Sequence, residues 1–278
     1  MQDLVGKTAV VTGGANGIGF ALGQAFAEAG MNVMLADIEQ DALTAAVERL
    51  RGFGHKVREL ICDVTDPTSV DQSAVTTFET FGNVHVLCNN AGVAGGSGID
   101  DISLDTWRWV IDINLMGVVY GIRSFLPRMR AHGEGGHIVN TASMAGLESG
   151  LGFSPYATSK FAVVAMSEGL ARQVNSLGIG VTVLCPGFVR THISESARNR
   201  PERYGQAPAL DPMSHGGKLA AESARLQQSG LNPSDVAERT LRAIRGDELY
   251  VFTHPEMRDD VKKRFAAIEA AMDEAATR

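Results

Sequence analysis

Tyr156 and Lys160 stand four residues apart in the stretch Ser154-Pro155-Tyr156-Ala157-Thr158-Ser159-Lys160. On a helix, positions i and i+4 share a face, one turn apart. A phenol ordinarily ionises near pH ~10. A fixed positive charge beside it favours the phenolate and lowers that value. The spacing is therefore one way to build a general acid/base that works near neutrality. Tyr and Lys also meet at this spacing by chance on many helices, so the pair needs support from the rest of the chain.

The first support lies near the N-terminus. Residues 7–12 read as a short buried strand, and Phe20 to Ala29 as a helix ending at Gly30. Between them runs Gly13-Gly14-Ala15-Asn16-Gly17-Ile18-Gly19. Strand, glycine-rich turn and helix in that order make an anion cradle: glycines let the backbone approach a pyrophosphate, and the helix start offers free N–H groups. The spacing Gly-x-x-x-Gly-x-Gly differs from the commoner Gly-x-Gly-x-x-Gly, but the mechanics are the same. A tight turn that merely needs glycine is the alternative. A second strand, Asn32 to Ala36, ends in Asp37. An acidic residue there accepts hydrogen bonds from an adenosine ribose and repels a 2′-phosphate. Neither Asn16 nor Ile38 supplies a cation for that phosphate, so Asp37 points to NAD over NADP. The same aspartate could instead cap the helix expected over 39–51.

The elements that must position these groups continue in alternation. Strands are expected at Lys56 to Cys62, Val84 to Cys88, His137 to Thr141 and Gly180 to Cys185, with helices over 67–81, 104–130 and from Tyr156 to about Leu177. Strands alternating with helices imply a parallel, doubly wound α/β sheet. Ligands bind at the carboxyl ends of such strands. That places Asp63-Val64 and Asn90-Ala91-Gly92 where they can wall an adenine and its ribose, although each could be ordinary turn chemistry. Asn114 lies inside the apolar run Ile113-Asn114-Leu115-Met116, where a poor helix former needs a reason. A satisfied buried amide is the simplest one. Residues 192–232 are polar and broken by Pro201, Pro208, Pro212 and Gly216-Gly217, and they carry no strand signal. A connection this long is usually a functional lid or binding loop. Asp235 to Arg245 then reads as a helix, Glu248 to Thr253 as a seventh strand, and Pro255 to Ala276 as a last helix with Val261, Phe265, Ile268 and Met272 as its apolar stripe.

Composition bounds the rest. Across 278 residues, 44% are hydrophobic and 21% charged, an ordinary globular balance, with no linker or repeat dividing the chain. A net charge of −7 argues against nucleic acid or an anionic membrane surface as partner. No uninterrupted apolar run reaches the roughly 18 residues of a membrane span. The N-terminus has no export signal. Cys62, Cys88 and Cys185 are widely spaced within apolar runs, which suits buried reduced thiols in the cytoplasm. No cluster has metal-ligand spacing.

Taken together, Thr12-Gly13-Gly14-Ala15-Asn16-Gly17-Ile18-Gly19, Asn89-Asn90-Ala91-Gly92, Asn114, Ser143, Tyr156-Ala157-Thr158-Ser159-Lys160 and Pro186-Gly187 resemble the short-chain dehydrogenase/reductase family over residues 5 to 252. The resemblance implies a single Rossmann-type seven-stranded domain, with residues 192–232 as a substrate loop and 254–278 as a C-terminal extension. It implies NAD-linked oxidation of a secondary alcohol or reduction of its ketone by a tetrad of Asn114, Ser143, Tyr156 and Lys160. In that scheme Tyr156 takes the alcohol proton, Lys160 holds the phenol pKa down, and Ser143 holds the substrate oxygen. Asn114 distorts its helix and holds a water that leads the proton to solvent. Pro186, Gly187, Val189 and Thr191 would border the nicotinamide, Val189 and Thr191 by contacting its amide. Val93, Ala94, Ala145, Gly146 and Phe188 would line a substrate pocket roofed by 192–230, suiting a hydrophobic or aromatic alcohol. Phe188 and Tyr204 could equally serve packing. A homodimer or homotetramer is the expected assembly. Residues 194–205 and the long C-terminal tail also resemble the Cα-dehydrogenases of lignin-derived aryl ethers. Two alternatives remain: a carbonyl or 3-oxoacyl reductase working in the other direction, which Asp37 counts against, and a catalytically silent redox-sensing regulator, which would lack the Tyr or the Lys.

Overall fold

A computed structural model describes residues 1–96, 102–149, 154–206 and 211–277. Seven parallel strands form one sheet in the order β3-β2-β1-β4-β5-β6-β7. They are β1 (Thr8–Thr12), β2 (Asn32–Asp37), β3 (Val57–Ile61), β4 (Val86–Asn89), β5 (Gly136–Thr141), β6 (Ile179–Cys185) and β7 (Tyr250–Phe252). The order reverses between β1 and β4, so the chain winds outward from a central switch point. Such sheets place their ligand crevice there.

The central strands are buried on both faces, as continuous apolar runs such as Thr8–Thr12 require. On one side α1 (Gly17–Glu28) and α8 (Pro233–Gly246) pack together, with Leu22, Phe26, Val236 and Ile244 in the core. α2 (Gln40–Arg51) joins them through Leu43, Val47 and Leu50. The other side carries α3 (Pro67–Phe81), α4 (Leu104–Ile111), α5 (Gly117–His132) and α6 (Pro155–Val174). Leu104–His132 forms one helical stretch of 29 residues containing an 18-residue window of mean hydropathy 1.3, long and apolar enough to cross a membrane. In this fold Val110, Val118, Phe125 and Met129 of that stretch are buried core residues.

Within that stretch, Asp112–Met116 makes a π-helical turn, the distortion expected at Asn114. A π-turn inserts a residue into the ladder and re-aims the side chains around it. Asn114 is fully buried there.

One expectation needs correction. The described parts of the 192–232 segment hold regular structure. They contain short 3₁₀ turns at Ile193–Asn199 and Glu202–Tyr204 and a 14-residue helix, α7 (His215–Gln228). Pro208 lies outside the described residues. The Gly216-Gly217 pair, expected to break the chain, begins that helix. Ser214 accepts a hydrogen bond from the Gly217 N–H, and a Cβ at Gly217 would collide with the Asp211 carbonyl. The last helix, α9 (Arg258–Ala276), forms as expected, but it contains no buried residue. Val261 touches the core, while Phe265, Ile268 and Met272 stay exposed.

The sheet is tied to α6 by a buried polar chain. Asn89 donates to the Asn140 Oδ1 at 2.9 Å, and Asn140 donates to the Ser167 Oγ at 3.0 Å. Gly121 of α5 lies against Asn89, where a Cβ would collide with its Oδ1. We expect Gly121→Ala to displace Asn89 and destabilise the fold by about 1–3 kcal/mol, the range for overpacking a filled core. Urea unfolding followed by far-UV circular dichroism checks this.

Candidate active site

Four strand ends converge at the switch point. Thr12, closing β1, clamps the turn after β4: its Oγ1 accepts from the N–H of Asn90 at 3.0 Å and of Ala91 at 3.1 Å. Asn90 answers by donating to the Thr12 carbonyl at 3.1 Å, and it accepts from Thr141 Oγ1 at 3.2 Å. The glycine-rich turn is thus fixed to β4 and β5 by side chains. It also needs its glycines. A Cβ on Gly13, at φ +65°, would lie 2.9 Å from the Ala91 Cα, and one on Gly19 would collide with the Gly13 carbonyl. Asn16 precedes α1 without a side-chain cap, which leaves the helix-start N–H groups available to an anion.

One cavity runs over this edge. Gly13, Asn16, Gly17, Ile18, Asp37, Asp63, Val64, Asn90, Ala91 and Gly92 line one part of it. Ser143, Tyr156, Lys160, Pro186, Gly187, Val189 and Thr191 line the other. The sequence-derived residues are therefore brought together, with two exceptions. Gly19 does not reach the cavity and acts through the close packing just described. Asn114 does not reach it either. Its Oδ1 accepts from the Val93 N–H at 2.8 Å, and its amide donates to the Val93 carbonyl at 3.0 Å and to Ser159 Oγ at 3.2 Å. Asn114 is thus a satisfied buried amide as well as the site of the helix distortion. Likewise, Asp37 lines the cavity and also ties the turns around it, but it does not cap α2, whose N-cap is Glu39. The Asp37 Oδ1 accepts from the N–H of Ile38 and Glu39, and its Oδ2 accepts from the Ala15 N–H at 2.9 Å.

The acid/base pair sits on the first turns of α6. Ser154 caps that helix, accepting from the Ala157 N–H, and also donates to the Gly96 carbonyl at 2.9 Å. The turn carrying Ser143 lies close beside it, because a Cβ on Gly146 would meet the Lys160 carbonyl at 2.6 Å. Ser143 stands near the Tyr156 phenol, donates to the Pro186 carbonyl at 3.3 Å and accepts from the Ala145 N–H. Lys160 is buried. Its Nζ donates to the Thr141 carbonyl at 2.8 Å and lies 5.6 Å from the centre of the Tyr156 ring.

The electrostatics depart from the sequence reading. Burial pushes the Tyr156 phenol above its ordinary pKa, and the nearby Ser143 hydroxyl pulls it only part of the way back. Burial also pushes the Lys160 ammonium down to about 8, with the nearby Cys185 thiol opposing. Desolvation thus decides the direction, opposite to the lowering expected from Lys160.

The substrate side also differs. Of the five residues expected there, Val93 lines the cavity, while Ala94, Ala145, Gly146 and Phe188 do not. Trp109, Ile113, Ile193, Pro201 and Tyr204 do instead. Trp109 is buried with an indole N–H that has no partner, and Tyr204 donates to Asp112 Oδ2 at 2.8 Å. Glu39, Thr65, Arg198, Asn199 and Arg203 also border the cavity and carry no motif that marks them in the sequence. The charges of Arg198 and Arg203 are a signal, but no spacing rule ties them to partners more than a hundred residues away.

Comparisons with known proteins identify the family. A family model described as short chain dehydrogenase matches residues 7–202. The chain is 32% identical over 269 residues to a C alpha-dehydrogenase from a Sphingobium species, covering 96% of this chain and 87% of that protein. It is 35% identical over 261 residues to 1-deoxy-11-beta-hydroxypentalenate dehydrogenase from Streptomyces avermitilis, covering 93% and 88%. Among solved structures, a short chain dehydrogenase/reductase from Burkholderia phymatum in complex with NAD superposes with a TM-score of 0.93 at 38% identity, covering 98% of this chain and 97% of that one. The fold and the site define an oxidoreductase built on a Rossmann-type sheet. More narrowly, the chain belongs to the short-chain dehydrogenase/reductase family.

The depressed Lys160 pKa has a consequence for stability. Between pH ~8 and its unfolded value of 10.5, the unfolded chain binds more protons at this site than the folded one. Stability therefore rises with pH across that window, and below it the burial penalty is fully present. We expect Lys160→Met to raise the thermal midpoint at pH 7, with the gain shrinking as pH climbs from about 8 toward 10.5. Thermal melts at a series of pH values provide the check.

Proposed function

We propose that the chain is an NAD-dependent dehydrogenase that interconverts a secondary alcohol, apolar or aromatic in character, with its ketone. One observation carries this reading. The Tyr156 phenol, close to Ser143 and beside Lys160, borders the same cavity as the glycine-rich turn and Asp37. The residues fit a dinucleotide: glycines where a Cβ would fill the cradle, open N–H groups at the start of α1, and an acidic group at the end of β2. When bound, the dinucleotide supplies the hydride chemistry and, oxidised, a positive charge.

The chain's own residues then handle the proton and the oxygen. Tyr156 accepts the alcohol proton during oxidation and returns it during reduction. Ser143 holds the substrate oxygen as charge develops on it. Lys160, still mostly charged at pH 7, favours the phenolate and steadies the ribose. Asn114 positions rather than reacts. Its amide is fully engaged with Val93 and Ser159, which fixes the π-turn beside the site.

NAD is favoured over NADP by Asp37, and the Burkholderia phymatum protein was solved with NAD. An apolar substrate is supported by Val93, Trp109, Ile113 and Tyr204 along the cavity, and by relatives named for a C alpha position and for a hydroxypentalenate. The presence of both Tyr156 and Lys160 speaks against a catalytically silent regulator. Residues 192–232 serve as the substrate lid, and the exposed Phe265, Ile268 and Met272 of α9 fit an assembly of two or four chains. A monomer mass in sedimentation would refute that assembly.

Tyr156→Phe is expected to keep NAD binding and lower turnover by at least ~100-fold, within the usual range for losing one acid/base group. Turnover close to the parent's would sink the assignment. A screen of secondary alcohols and ketones with both dinucleotides, followed by NADH absorbance, tests the substrate class. The Asp37 reading requires a higher kcat/KM with NAD than with NADP.

A further inference from the structure

Discrimination against a 2′-phosphate has two parts: a negative charge that repels it and the lack of a cation that would receive it. Asp37 provides the repulsion. The local sequence offers no cation, because Asn16 and Ile38 carry no charge. The fold changes that. Arg198, from the 3₁₀ turn after β6, comes to the β2–α2 turn and borders the same cavity as Asp37, Ile38 and Asn16. Its Nη2 donates to Glu39 Oε1 at 2.6 Å, and Asn199 donates its amide to the same oxygen. Glu39 is held beside Asp37 in turn, because its N–H donates to Asp37 Oδ1 at 3.1 Å. A guanidinium therefore does stand at the ribose end of the cavity, and a carboxylate occupies it.

That carboxylate is charged. Burial alone would raise its pKa, but the hydrogen bonds from Asn199 and Arg198 and the charges of Arg198 and His192 bring it below the ordinary value. The pair is partly exposed, with side-chain accessibilities of 39% for Arg198 and 25% for Glu39, so salt screens it and a ligand can compete for it. A guanidinium prefers planar two-point contact with a carboxylate or a phosphate. With Nη2 on the tethered Glu39 carboxylate and Nη1 donating to the His192 carbonyl at 3.3 Å, the Arg198 guanidinium is not free for the phosphate. The other arginine at this edge, Arg203, is likewise taken, by Asp63 at 3.1 Å and Thr65 at 2.6 Å.

We infer that the Arg198–Glu39 pair is a further determinant of dinucleotide choice: Glu39 withholds from a 2′-phosphate the guanidinium that the segment after β6 delivers to the ribose site. Asp37 repels directly, whereas Glu39 works by occupying the cation. The inference rests on the reading of the cavity as a dinucleotide site.

Direct titration of the full chain with NADH and NADPH, followed by nicotinamide fluorescence, tests it without reference to turnover. The readout is the ratio of the two Kd values. Glu39→Gln keeps the shape and removes the charge, and it is expected to lower Kd(NADPH)/Kd(NADH) about tenfold. The gain should vanish at high ionic strength and in Glu39→Gln/Arg198→Ala, where the freed cation is gone. An unchanged ratio in Glu39→Gln, or a gain that survives in the double variant, overturns the inference. NADH affinity serves as the folding control for both variants. A parent chain that binds NADH while the ratio stays fixed overturns the inference alone. A parent chain that binds neither dinucleotide overturns the reading of the cavity and the inference with it.

Discussion

The charge of Lys160 sets the terms for this site. An ammonium taken out of water loses hydration worth several kcal/mol, and its environment must restore part of it. Here the Thr141 carbonyl is the acceptor, and burial still drives the amine down to about 8. Three strand ends close around the group. β4 leads to Gly92, which lies against Nζ; β5 brings Thr141; β6 brings Cys185. The site is a product of that convergence, and Tyr156, one turn earlier on α6, inherits its orientation from it.

The same framework joins the two halves of the cavity. Thr12 and Asn90 bind the glycine-rich turn to the end of β4, and Thr141, which holds Lys160 through its carbonyl, holds Asn90 through its hydroxyl. The nucleotide-side turn and the buried amine are thus connected through a few short hydrogen bonds. Neither can shift without the other, which is the kind of preorganisation a reaction between a bound cofactor and a bound substrate requires. The cost falls on stability, in a buried cation and in glycines that no other residue can replace.

Much of this is legible in the chain itself. The seven strands, their alternation with helices and the motif residues at their ends follow from period, turn chemistry and glycine placement, because those signals are local. Apart from Gly19, the cofactor residues named from the motifs reach the cavity, while Gly19 acts through packing and Asp37 also closes the turn against Ala15. Helix α7 escapes such a reading because Gly216-Gly217 resembles a break. It is a helix start, made possible by Ser214 and by the close approach to the Asp211 carbonyl. Its later residues, Lys218 to Gln228, are mostly good helix formers and are the signal that was available.

The sequence by itself determined the sheet, the glycine cradle, the acidic end of β2 and the pairing of a phenol with an amine on one helix face. These rest on contacts between residues close in the chain or on the repeating geometry of strands and helices. Only the tertiary structure decided the sign of the Tyr156 pKa shift, because desolvation depends on what surrounds a group from every side. It also decided that Asn114 is enclosed away from the cavity, and that Arg198 meets Glu39 across 159 residues. Burial and long-range ion pairs are set by chain segments that no spacing rule connects, so the charges and walls of the site became readable only once the fold had brought them together.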